Sequence, residues 1–199
     1  MKVTKFEDEQ SWLDARLGKI TGTRLKDLIN KRGGSPKIGF YELIAERICI
    51  PATDEGAMDR GKRLEDEAVD RFSKETGKKV NNDLVIWTRD DNENIAISPD
   101  GCIGATEAVE VKCLGSARHI EAWLTKEIPS EFEYQVLQYF IVNDKLKKLY
   151  FIFYDPRCPI SFFYLTLKRP DFEEKVKEYL ILEKEVLERI DDITKQMLF

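Results

Sequence analysis

Ser98-Pro99-Asp100-Gly101 and, a few residues on, Val109-Glu110-Val111-Lys112 are the two stretches that decide how this chain reads. The first has Pro and Gly where a turn between two strands wants them. On the second, strand alternation puts Glu110 and Lys112 on one face and turns Val109 and Val111 into the core. If the strand ending at Asp100 pairs antiparallel with the next, its carboxylate comes alongside Glu110. Two carboxylates meeting at one point repel unless a cation lies between them. Oxygen-only ligands with waters left over suit Mg²⁺, with Mn²⁺ as a substitute, and the Val111 carbonyl is a further oxygen. Such a site fits phosphodiester hydrolysis. The metal offsets charge building on the phosphate and lowers the pKa of a water, while Lys112 positions or helps deprotonate that water and stabilises the transition state. The competing reading is a surface salt bridge between Glu110 and Lys112, which contributes little.

Upstream of both stretches, Glu65 sits in Arg63-Leu64-Glu65-Asp66-Glu67-Ala68 on an expected helix. Leu64, Ala68 and Phe72 mark its buried side, which leaves Glu65 at the core edge, able to hold a water. Gln135 and Gln138 lie beside an apolar helix face with Val136, Leu137 and Tyr139. They read either as site groups or as satisfied structural amides.

Periodicity predicts helices over 11–31, 38–49, 57–75, 118–126 and 130–142, and strands over 84–87, 94–98, 108–113, 149–154 and 161–167. A final amphipathic helix opens at Pro170, with Phe172, Val176, Tyr179, Leu180, Val186, Leu187 and Ile190 as its apolar stripe. The class is mixed α/β, and 199 residues suit one domain carrying that helix at its end. No apolar run nears the roughly 18 residues of a membrane span, and the N-terminus has no signal-like stretch, so the expected location is cytoplasmic. Cys49, Cys102, Cys113 and Cys158 form no C-x-x-C pair and read as buried free thiols. The net charge of −5 hides an asymmetry. From Arg16 to Arg47, eight Lys/Arg face three Asp/Glu, whereas from Asp171 onward five face nine. An acidic end can mask a basic, phosphate-binding face.

The order Glu65, Ser-Pro-Asp100-Gly, Glu110-Val-Lys112-Cys, Gln135 resembles the PD-(D/E)-x-K nucleases and, within them, the phage lambda exonuclease and YqaJ-like viral recombinase family. The likeness spans roughly residues 11 to 157 and includes Ser11-Trp12-Leu13-Asp14-Ala15-Arg16 and Tyr154-Asp155-Pro156-Arg157. It implies a restriction-endonuclease-like fold, a mixed sheet flanked by helices. It also implies processive 5′-to-3′ digestion of one strand from double-stranded DNA ends, a ring-shaped homotrimer, and a cooperating single-strand annealing protein. By matching motif, Asp100, Glu110 and the Val111 carbonyl bind Mg²⁺, Lys112 serves catalysis, and Glu65 and Gln135 support the site. Arg16, Thr23 and Ser98 match positions that grip the 5′-terminal phosphate, and Met58 matches an apolar strand-separating wedge. A surface charge on a helix is the competing reading of Arg16, and ordinary core filling that of Met58. Arg60 and Leu114 depart from the Trp and Pro of the lambda enzyme, and Gln138 is spaced differently from the family's second Gln. Two alternatives remain: a structure- or site-specific endonuclease of the same superfamily, and a catalytically silent DNA-binding recombination module.

Overall fold

The computed structural model of the protein describes residues 37–50, 57–83 and 85–197 together with Asp8 and Ser11, with Arg47, 57–62 and 190–197 as backbone alone. Of the expected helix over 11–31 only Ser11 is among these residues; the rest, with Arg16 and Thr23, falls outside them. Among the residues from 37 on, two helices come first, α1 (Ile38–Ile48) and α2 (Ala57–Thr76). α2 ends where expected: Gly77, at φ +69°, takes the left-handed position, and its N–H bonds back to the Ser73 carbonyl at 2.9 Å. Four short or medium strands follow, β1 (Trp87–Thr88), β2 (Ala96–Ile97), β3 (Gly101–Ile103) and β4 (Glu107–Lys112). Next are α3 (Ser116–Thr125), a 3-10 turn (Ser130–Phe132) and α4 (Glu133–Val142). The chain continues through β5 (Lys148–Tyr154), β6 (Phe162–Lys168), a 3-10 turn (Arg169–Asp171) and α5 (Glu173–Met197).

The main sheet runs β3-β4-β5-β6, with the β4–β5 pair parallel and its two neighbours antiparallel. A parallel pair needs a long crossover, and α3 with α4 supplies it. β5 is buried on both faces from Leu149 to Tyr154, hence its unbroken apolar run. Edge strand β6 alternates instead. One sheet face, Val109, Val111, Tyr150 and Ile152, packs on Leu64, Ala68 and Phe72 of α2. The other, Ala108, Phe151 and Phe153, packs on Val136, Leu137 and Phe140 of α4 and Val176 of α5. α2 and α4 thus clamp β4 from opposite sides. Each of these helices also carries a polar group expected at the site.

Four local expectations change. The strand expected over 84–87 is reduced to Trp87–Thr88, with Leu84 outside the described residues, and that over 94–98 is the two-residue β2. The true antiparallel partner of β4 is β3, which begins just after Asp100. Gly101 is there for close approach: a Cβ at this position would stand 2.5 Å from Val80 Cγ1. The approaching segment exchanges two main-chain bonds, Asn81 N to Cys102 O at 2.8 Å and Cys102 N to Asn81 O at 2.7 Å. On α5, Val186 is exposed, while Phe172, Tyr179, Leu180 and Leu187 of the stripe pack on the core. No helix among the described residues is long and apolar enough to cross a membrane.

Candidate active site

β3 and β4 pair Gly101 with Val109, so one step further Asp100 lies opposite Glu110. Asp100 is fixed there by the backbone, its Oδ2 accepting the Val111 N–H at 2.7 Å. Glu110 is only 2% exposed, which removes the reading of a solvated surface pair. Both of its carboxylate oxygens are held. Oε1 accepts Lys112 Nζ at 2.5 Å and Gln135 Nε2 at 2.6 Å, and Oε2 accepts the Tyr139 hydroxyl at 2.5 Å. The Lys112 ammonium also lies 4.9 Å from the centroid of the Phe132 ring, in the turn that opens α4.

Glu65 reaches the same cluster from α2. Burial first, then the charges of Asp66 and Glu110, raises its pKa, and a hydrogen bond with Asp100 opposes the rise. Asp100 is pushed up to about 7, by burial first and by the Glu110 charge second, against the pull of the Val111 N–H. A cleft of about 300 Å³ is lined by Glu65, Asn82, Asp83, Ser98, Pro99 and Asp100. Exposed Ser98 therefore opens onto the same space as two of the carboxylates. Of the expected residues, Glu65, Ser98, Asp100, Glu110, Val111, Lys112 and Gln135 come together. Gln138 does not, since its Nε2 donates to the Ala96 carbonyl. Met58 lies on α2, where only backbone is described.

Tyr139 was not among the expected site residues. It is fully buried, and burial with the neighbouring Glu110 charge holds its hydroxyl well above the usual phenol range. The phenol is therefore a neutral donor to Glu110 throughout the physiological range. The available signal was spacing: Tyr139 follows Gln135 by four residues, which puts both on one helix face. Tyr139→Phe keeps the volume but strips Glu110 Oε2 of its donor. It should cost about 1–3 kcal/mol of stability by equilibrium urea unfolding, because a buried charge loses a partner. An unchanged unfolding midpoint would show that this bond contributes nothing.

The donor set fits a hard divalent cation. The carboxylates of Glu65, Asp100 and Glu110 offer only oxygen atoms, and Asp100 and Glu65 are held above their ordinary pKa partly by neighbouring negative charge, as a shared cation would relieve. Among the described residues no three His, Cys, Asp or Glu side chains are already spaced as a cage. The reason is visible at Glu110, whose oxygens face Lys112, Gln135 and Tyr139.

The sequence matches the model of the YqaJ-like viral recombinase domain over residues 11–145. The chain belongs to that family. Two crystal structures of LHK-Exo, an alkaline exonuclease from Laribacter hongkongensis, match it at TM-score 0.57 and 26% identity, over 94% of this chain and 99% of theirs. One of the two holds dAMP. No curated protein matches the sequence. Family and fold together make the chain a nuclease of the viral recombinase type, with the restriction-endonuclease-like sheet flanked by helices.

Proposed function

We propose that this protein, a single domain over its 199 residues, is a Mg²⁺-dependent exonuclease. It digests one strand of linear duplex DNA in the 5′-to-3′ direction, processively, and leaves a 3′ single strand for recombination. The observation that carries the reading is Asp100 and Glu110 opposite each other on paired strands, with Glu65 hydrogen-bonded to Asp100 and the Lys112 ammonium on Glu110. LHK-Exo binds dAMP, a deoxynucleoside monophosphate, which is the product class of an enzyme removing nucleotides singly.

Asp100, Glu110 and the Val111 carbonyl are the groups that hold Mg²⁺, or Mn²⁺ in its place. Bound there, the ion supplies positive charge to the scissile phosphate and acidifies a water. Lys112 Nζ, tethered between Glu110 Oε1 and the Phe132 ring, is a fixed charged donor aimed where negative charge grows on the phosphate. Gln135 and Tyr139 fix the Glu110 carboxylate, one at each oxygen. Glu65, hydrogen-bonded to Asp100, orients the attacking water from the α2 side. Ser98, on the same cleft, joins Arg16 and Thr23 in gripping the 5′-terminal phosphate, and Met58 acts as the wedge. Polarity is tested with duplexes labelled at one end: a 5′ label should be released at once and a 3′ label late. Early release of the 3′ label refutes the direction.

Arg16 should set a preference for 5′-phosphorylated ends, since a guanidinium binds the extra oxygens of a terminal phosphate bidentately. Losing that charged pair costs about 1.5–3 kcal/mol, or about ten- to more than a hundredfold in discrimination. Single-turnover digestion of 5′-phosphoryl and 5′-hydroxyl duplexes by wild type and Arg16→Ala measures it. A mutant that keeps the full preference places the pocket elsewhere.

A homotrimeric ring explains how a chain of net charge −5 stays on DNA, and a single-strand annealing protein takes the product. Sedimentation velocity should give a trimer, and a strict monomer that digests processively would rule the ring out.

A further inference from the structure

Cys49 and Cys158 are 109 residues apart in sequence, yet their sulfurs lie 3.1 Å from each other. Cys49 closes α1, and Cys158 lies in the turn between β5 and β6. The backbone sets them face to face. The Ile50 N–H donates to the Arg157 carbonyl at 2.9 Å, and the two cysteines are the chain neighbours of the residues that make that bond. The turn carrying Cys158 is itself pinned. Asp155, fully buried, accepts both arms of Arg157 at 2.9 Å and the Ser116 hydroxyl at 2.7 Å. Cys158 belongs to a small satellite core with Tyr41 and Ile120, against which Ile44, Ala45 and Cys49 pack. This core joins α1 to α3. A disulfide has an S–S bond of about 2.05 Å, so closure asks for about 1 Å of sulfur movement.

We propose that Cys49 and Cys158 are a dithiol modification site that closes reversibly to a disulfide by exchange with a small disulfide such as oxidised glutathione. Cys49 is half-buried and Cys158 only 5% exposed, so the incoming disulfide meets Cys49. The Cys49 thiolate attacks one glutathione sulfur, the S–S bond of the oxidant breaks, and one glutathione leaves as thiolate. Cys158, its thiol pushed up by burial, stays protonated until that step brings a mixed disulfide beside it. It then attacks Cys49 Sγ, its proton passing to the second departing glutathione. In balance, two protein thiols are oxidised to one disulfide and one oxidised glutathione is reduced to two thiols. The bond ties α1 to the end of β5, beside the strand that carries Glu110 and Lys112.

The test uses the full chain, reduced, freed of reductant and incubated with oxidised glutathione. Titratable thiols in denaturant should fall from four to two, and the mass by about 2 Da with no glutathione attached. Peptide mapping should join Cys49 to Cys158, and reductant should reverse the change. The Cys102→Ser/Cys113→Ser double variant should form the same link, its titratable thiols falling from two to none, and it decides the matter even if Cys49→Ser, which should form no link, fails to fold. A stable glutathione adduct on Cys49, four unchanged thiols, or a link through Cys102 or Cys113 in the wild type overturns the proposal.

Discussion

Lys112→Ala should lower the rate of phosphodiester cleavage by about 10²–10³-fold or more, while duplex-end binding measured in Ca²⁺ stays near wild type. The magnitude is that of removing one preorganised donor from a developing oxyanion. The ammonium is not a ligand of the cation, so ion and DNA retention should survive its loss. The substitution also takes a 2.5 Å partner from a carboxylate that is 2% exposed. A second signature follows: the variant should unfold at lower urea than wild type in chelator and regain part of the difference in Mg²⁺, which returns positive charge to Glu110. Full cleavage by Lys112→Ala would remove Lys112 from the reaction.

Asp100→Asn should abolish cleavage, weaken Mg²⁺ binding by calorimetry at least about 100-fold, and yet stabilise the fold in chelator at alkaline pH. Asn keeps an acceptor for the Val111 N–H but carries no charge towards Glu110 and Glu65. In the folded wild type Asp100 ionises at about 7, against about 3.9 in an unfolded chain. Between those values the native state holds the extra proton, so its stability is intact below about pH 4, falls as pH rises to 7, and stays low above. The Asn variant escapes that loss. At pH 8 in chelator it should melt higher than wild type, by about 2–4 °C for each kcal/mol gained, and near pH 4 the two should coincide. A lower melting point at pH 8 would show that Asp100 is held by favourable contacts rather than against repulsion.

Much of this site was legible because its parts obey local periods. Glu110 and Lys112 share a strand face by alternation, and Glu65 stands one step from the Leu64–Ala68–Phe72 stripe of its helix. β5 and β6 showed as long apolar or alternating runs. β3 did not, because three residues make no run; its position depends on Asn81, twenty-one residues away from Cys102 and bonded to it from outside the sheet. Tyr139 hid for a different reason. A tyrosine on an apolar helix face reads as core, and it is core, except that its hydroxyl meets Glu110. Gln135 and Gln138 were equivalent in sequence and are separated only by the turn of α4 between them. The Cys49–Cys158 pair left no trace at all, since contact across 109 residues has no local pattern. Spacing alone pointed to a metal nuclease; polarity and need for a DNA end came with the resemblance.

The proposed reaction is degradation of DNA from an end with a divalent cation at Asp100 and Glu110. The most direct measurement incubates linear and covalently closed circular duplexes of the same sequence with the enzyme, in Mg²⁺ and in chelator. Loss of the linear duplex in Mg²⁺ alone, with the circle intact throughout, is the predicted result. Cutting of the circle, or degradation that persists in chelator, would contradict it.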